Sequence, residues 1–187
     1  MIVTADTIRS FEETFTGYCA TIDSDHAYIH KGLGFQYPCT FSLGNAATKG
    51  CIIKTPNADT AGRYIHWRPT RVASSAAAVK IELYESPTYS GGSQLSGIVN
   101  MNRNSTRTPE NILWDGTLTI TDNGDLISID IVGGGGNPSS VAGGTGGNEN
   151  EILLASNKEY LLLFTNITTT TTQISADLYW YEEGQGV

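Results

Sequence analysis

Charge is what this sequence has least of. Charged side chains make up 16 % of its 187 residues, against about 25 % in an ordinary soluble domain. Lys and Arg number 11 against 19 Asp and Glu, a formal net charge of −8. A chain this acidic has little with which to neutralise phosphates, so direct nucleic-acid binding is not expected. Cysteine is as sparse, with only Cys19, Cys39 and Cys51. An odd, small number does not make a disulfide framework and fits synthesis in a reducing cytosol. Free buried thiols are expected; a Cys39–Cys51 bridge between neighbouring strands is the alternative. No apolar run approaches the roughly 18 residues of a membrane helix. The opening Met1-Ile2-Val3-Thr4-Ala5-Asp6 lacks the basic stretch and apolar core of a signal peptide. Neither a membrane nor export is expected.

The residues of common catalytic and metal chemistry are scarce too. There are three histidines, His26, His30 and His66. On a helix, His26 and His30 at i and i+4 would lie on one face; on a strand they also share a face but stand about 13 Å apart at ~3.3 Å per residue. At that separation one zinc with bonds of about 2.0 Å cannot take both. Gly143-Gly144-Thr145-Gly146-Gly147 is followed by neither Lys-Ser nor Lys-Thr and opens no helix. It is therefore neither a P-loop nor a dinucleotide fingerprint. No Gly-x-Ser-x-Gly elbow occurs. Asp122, Asp125 and Asp130 do not follow the ligand order of a calcium loop. No catalytic residue, cofactor or metal is assigned, and no enzyme is expected. Trp67, Trp114 and Trp180, with nine tyrosines, could form a sugar-stacking platform. Such aromatics also build sandwich cores and subunit interfaces.

What is abundant is strand and turn chemistry. Glycine contributes 21 residues and threonine is about as frequent, a mixture that favours strands and turns. Val79, Ile81 and Leu83 alternate with Lys80, Glu82 and Tyr84, the mark of a half-buried strand. Ile127, Ile129 and Ile131 alternate with Ser128 and Asp130, which are expected to point outward. Tyr160 to Thr165 is apolar on both faces and suits a central strand. Ile174, Ala176, Leu178 and Trp180 share one face, leaving Tyr179 and Tyr181 exposed or at an interface. Further strands are expected at 27–30, 40–43, 50–54, 63–68 and 94–101. Turns are expected at Thr55-Pro56-Asn57, Ser86-Pro87-Thr88, Ser90-Gly91-Gly92-Ser93 and Ser156-Asn157-Lys158. Asn123-Gly124 is expected to close a two-residue hairpin. Eight to ten strands at about this spacing mean an antiparallel sandwich or barrel. Residues 1–25 read as an N-terminal arm and lead-in strand, and 26–187 as one all-β domain carrying a Gly-rich loop at 133–148.

Several segments carry a family likeness. They are His26-Ala27-Tyr28-Ile29-His30-Lys31-Gly32-Leu33-Gly34-Phe35, Ile53-Lys54-Thr55-Pro56-Asn57 with Ile65-His66-Trp67, and Leu83-Tyr84-Glu85-Ser86-Pro87-Thr88. Asn100-Met101-Asn102-Arg103-Asn104-Ser105, Glu151-Ile152-Leu153-Leu154, Glu159-Tyr160-Leu161 and Leu178-Tyr179-Trp180-Tyr181-Glu182 follow. In this order they resemble small jelly-roll virion structural proteins of tailed bacteriophages, the capsid decoration or auxiliary proteins. The resemblance implies a β-sandwich of jelly-roll type on the outer capsid surface of the virion, synthesised in the host cytoplasm. It implies the major capsid protein as partner, self-association with a trimer favoured over a dimer, and no catalytic residues. Expected contact residues are Met1, Ile2, Val3 and Arg9 in the arm, Arg103, the loop residues Asn137, Pro138 and Val141, and Tyr179 and Tyr181. A carbohydrate- or receptor-binding module of a phage fibre or tail is the competing expectation. A small jelly-roll enzyme would need its histidines and carboxylates to converge in a pocket.

Overall fold

Alternation along the chain turns into two antiparallel sheets lying face to face. The computed structural model describes residues 24–57, 63–68, 70–75, 78–133 and 151–184, together with a short pair, β1 (Phe11–Glu12) and β2 (Cys19–Ala20). Among the described residues a single short helix, α1 (Ser24–His30), precedes the sandwich. The second sheet, described below, begins with β3 (Gly34–Leu43). The first sheet contains β4 (Thr48–Lys54), β7 (Val79–Glu85), β8 (Thr88–Gln94), β10 (Ile112–Asp122), β11 (Asp125–Val132) and β13 (Glu159–Asn166), in the order β11-β7-β13-β4-β10-β8. The second takes the order β12-β5-β14-β3-β9, with β5 (Arg63–Trp67), β9 (Val99–Asn100), β12 (Ile152–Leu154) and β14 (Thr172–Gly184). A short β6 (Arg71–Ser74) also pairs with β14.

The core between the sheets is the one that period two anticipates. Val79, Ile81 and Leu83 of β7 meet Tyr160, Leu162 and Phe164 of β13 on its inner side. Ile174, Ala176, Leu178 and Trp180 of β14 close it from the other sheet. Trp180 stacks on Trp67 with ring centroids 5.9 Å apart, and both are buried. β13 is central, between β7 and β4, which explains a sequence apolar on both faces.

Its other face needs a cover of its own. Ile52 and Leu161 point away from the inter-sheet core yet are fully buried. The cover is a ribbon. β10 pairs with β4 only over Ile112–Trp114, then continues beside β8 as far as Asp122. Tyr89, Trp114, Leu118 and Ile120 of this ribbon pack on Ile52, Leu161 and Leu163. A Cβ at Gly50 would stand 3.0 Å from Leu161 Cδ1 and 3.9 Å from Ile120 Cδ1, so glycine leaves the room this second cluster uses.

Several local expectations give way. Residues 27–30 are helical, not extended. Gly32, at φ +73°, ends the helix with Gly32 N–H donating to the Ile29 carbonyl and Leu33 N–H to that of Tyr28, a glycine cap that alternation alone does not reveal. Ser90-Gly91-Gly92-Ser93 is no turn; it lies inside β8, where Gly91 and Gly92 adopt positive φ opposite register shifts in β10. The strand expected at 94–101 is broken into the end of β8 and β9. Asn123-Gly124 closes no hairpin, because β10 and β11 do not pair. Instead Asp122 faces Thr88 and Asp125 faces Glu85. The pair turns a corner beside Ser86-Pro87, so that β7–β8 and β10–β11 run as one folded ribbon. Cys39 and Cys51 stand on different sheets and both are free thiols. Burial pushes Cys39 up to about 11 and raises Cys51 further.

The largest correction is β11. Ser128, Asp130 and Val132 take the register of the core-facing Leu83, Ile81 and Val79, whereas Ile129 and Ile131 lie opposite Glu82 and Lys80 on the outer face. A register shift between Leu126 and Ser128 accompanies this choice of face, since one inserted residue exchanges the two faces of a strand. Ile129 is 52 % exposed and Ile131 60 %.

Candidate functional site

On β5, Ile65 and Trp67 enter the core, so Tyr64 and His66 face outward. His66 pairs directly with Tyr181 of β14, and α1 lays Tyr28 over them. The three rings stack, with centroids 4.7 Å apart for Tyr28–Tyr181 and 4.4 Å for Tyr181–His66. Two carboxylates flank the stack. His66 Nδ1 lies 2.6 Å from Glu151 Oε1, and its Nε2 lies 3.2 Å from Glu183 Oε2. The Tyr181 hydroxyl donates to Glu151 Oε1 at 2.6 Å, and Arg68 Nη1 donates to Glu151 Oε2 at 2.9 Å. The Tyr28 hydroxyl donates to Glu183.

These groups tune one another. Burial opposes the charged form of Glu151, but hydrogen bonds from Tyr181, His66 and Arg68 outweigh it and hold the carboxyl below its ordinary range. Burial first, then the Glu151 carboxylate, raises the Tyr181 phenol. A histidine between two carboxylates beside a tyrosine is the equipment of proton transfer. Here the groups are spent on one another: Tyr181 is 4 % exposed, and Glu151 is occupied at both oxygens, while Glu183 stays partly open to solvent. The arrangement is a clamp that ties α1, and Glu151 just ahead of β12, to β5 and β14.

Because the carboxyl of Glu151 titrates lower in the folded chain than in the unfolded one, its contribution is present above the ordinary carboxylate pKa and is lost as pH falls through the folded value. The thermal midpoint of the native chain should therefore fall more steeply on acidification below pH ~4.5 than that of Glu151→Gln. The two midpoints should converge at the acid end of the series. Parallel profiles in a pH series of thermal melts would show that Glu151 does not hold the clamp.

A second polar cluster lies on the core side of the same strands. Glu182 is fully buried, with Oε2 2.9 Å from Arg63 Nη1, and Oε1 accepting from the Glu110 and Asn111 backbone N–H groups and the Trp180 indole. Burial raises its carboxyl despite these donors.

The residues expected from sequence to bind partners are scattered. Met1, Ile2, Val3 and Arg9, and Asn137, Pro138 and Val141, lie outside the described residues. Arg103 is exposed after β9. Tyr179 is half-buried with the Arg68 guanidinium 6.0 Å over its ring. Tyr181 is not at the surface, as its stacking shows. His26 and His30 stack on each other at 4.8 Å on α1. Among the described residues no group of three or more His, Cys, Asp or Glu is placed to hold a metal, and no helix is long and apolar enough to cross a membrane. Sequence reasoning missed Glu151, Glu182, Glu183 and Arg68. Only Glu182 left a signal, standing next in line after the core positions Ile174 to Trp180. No family model matches the chain, and comparison with curated proteins finds no match.

Proposed function

We propose that this protein is a non-enzymatic virion structural protein of a tailed phage: a jelly-roll decoration, or cement, protein on the outer capsid surface that bridges major capsid subunits. One observation carries the reading. The side chains suited to acid–base chemistry are engaged within the chain, while the apolar side chains of an edge strand face outward. An enzyme presents its titratable groups to a cleft; a protein that works by attachment presents apolar surface and strand edges. Two packed antiparallel sheets are the architecture the family resemblance implies. The arm residues Met1, Ile2, Val3 and Arg9, the loop residues Asn137, Pro138 and Val141, and Arg103 are the proposed capsid contacts. A glycan-binding module wants open aromatic faces, but Lys54 lies 4.2 Å over the Trp114 ring and Tyr28 covers Tyr181.

The test is co-sedimentation of the purified protein with capsids that lack it, followed by cryo-electron microscopy. Saturable occupancy of fixed positions between capsid subunits, with greater heat resistance of the particle, is the expected result. Failure to bind at any concentration overturns the capsid reading.

A further inference from the structure

We propose that β11 is a self-association edge: it pairs antiparallel with β11 of a second copy across a two-fold axis at Ile129, continuing the first sheet between protomers. β11 is the edge strand beyond β7, and among the described residues no strand is hydrogen-bonded to its other side, although β6 of the second sheet lies near it. Leu126, Ile127, Ile129 and Ile131 are all exposed along it. The other edges are ill suited to this. β12 and β9 span three and two residues, and β8 is kinked by Gly91 and Gly92 at positive φ. β11 has eight residues and carries neither proline nor lysine; the bulge before Ser128 and the core-side Asp130 are features that blunt an edge, so the pairing is confined to the regular stretch from Ile127 onward.

The sequence of the strand selects its partner. Under a two-fold axis at Ile129, Ile129 meets its own copy and Ile127 meets Ile131, all on the outer face. Asp130 then falls opposite the uncharged Ser128. Moving the axis to Ser128 pairs Ile127 with Ile129 but brings Asp130 against the bulge at Leu126; moving it to Asp130 sets two carboxylates face to face. The Ile129 axis pairs apolar with apolar and sets Asp130 opposite a hydroxyl, and a two-fold interface requires that kind of self-complementarity. Continuing a sheet through an open edge also satisfies backbone groups that otherwise face water.

One strand pair is smaller than the ~1,200–2,000 Å² of a stable interface, so the dimer is expected at micromolar concentrations or above. This inference does not rest on the capsid reading, since it is measured on the protein alone. The experiment is sedimentation velocity of the full chain from micromolar to millimolar concentration. A monomer–dimer equilibrium is expected, weakened at least tenfold in Ile129→Lys, which sets two ammonium groups across the axis. The thermal midpoint of that variant reports that it still folds. Register is read by cysteine cross-linking in a Cys19→Ser background: Ile129→Cys should oxidise to a covalent dimer with itself. Ser128→Cys and Asp130→Cys should cross-link with each other when mixed, and far less when each is alone. A chain monomeric throughout, a trimeric mass, a dimer unchanged in Ile129→Lys, or self-cross-linking of Asp130→Cys as strong as that of Ile129→Cys overturns the proposal.

Discussion

Glu182→Ala is expected to lower the unfolding free energy at neutral pH by about 3–5 kcal/mol, the range for removing one partner from a buried charged network. The carboxylate is fully buried and is the shared acceptor for Arg63, the Glu110 and Asn111 N–H groups and the Trp180 indole. Arg63 keeps a second partner in Glu110 at 3.2 Å, so the loss falls mainly on the two backbone donors and the indole. A buried donor left without an acceptor costs about 1–3 kcal/mol. Glu182→Gln retains one acceptor oxygen but turns an amide donor toward donors, and should fall between native and alanine. Chemical denaturation of the three chains gives the order directly. An alanine variant within about 0.5 kcal/mol of native, the range of an ordinary surface substitution, would mean that water replaces the carboxylate. The pH dependence of this site runs opposite to that of Glu151. Burial raises the Glu182 carboxyl, so its deprotonation is less favourable folded than unfolded. Stability from this group is therefore lost as pH rises from the ordinary carboxylate pKa through the raised one, and recovered on acidification.

Gly124→Ala should destabilise the chain by about 2–4 kcal/mol, combining a left-handed backbone without glycine and an overpacked contact. Gly124 has φ +83°, and a Cβ there would lie 2.1 Å from the Glu85 carbonyl oxygen and 2.8 Å from the Ser86 carbonyl carbon. Both obstacles are backbone at the corner where β7 passes into β8, so neither can swing aside as a side chain would. The corner also sets the register of the ribbon covering Ile52 and Leu161, so the loss should spread beyond the turn. Gly44→Ala is the matched control, since a Cβ there meets nothing within 4 Å. Equal midpoints for the two variants would show that the corner relaxes freely.

Much of the core was legible in the sequence. Period two placed Val79, Ile81 and Leu83, the twice-covered β13, and Ile174 through Trp180, and the structure buries them accordingly. The same reasoning turned the isoleucines of β11 the wrong way. Alternation states that two faces differ; it does not state which face the sheet turns inward, and an edge strand buries too little for its pattern to decide. Asn123-Gly124 shows the same limit. Its turn chemistry was readable, but the strand it delivers β11 to is β7, not β10, and no neighbouring residue records that choice. Residues 24–30 became helical through a cap at Gly32, whose Cβ position is filled by Ser105, a contact far along the chain.

The clamp was the least legible feature. His66 and Glu151 meet across 85 positions, and Tyr181 and Glu151 across 30, so no local spacing announces them. By itself the sequence determined an all-β chain, its central strands and most of its core, because backbone preference and side-chain alternation are set by residues adjacent in the chain. The tertiary structure alone decided the sheet order, the outward face of β11, the corner at Gly124 and the partners of Glu151 and Glu182. Each of those depends on pairings between distant segments, whose energies are decided only when both strands are in place.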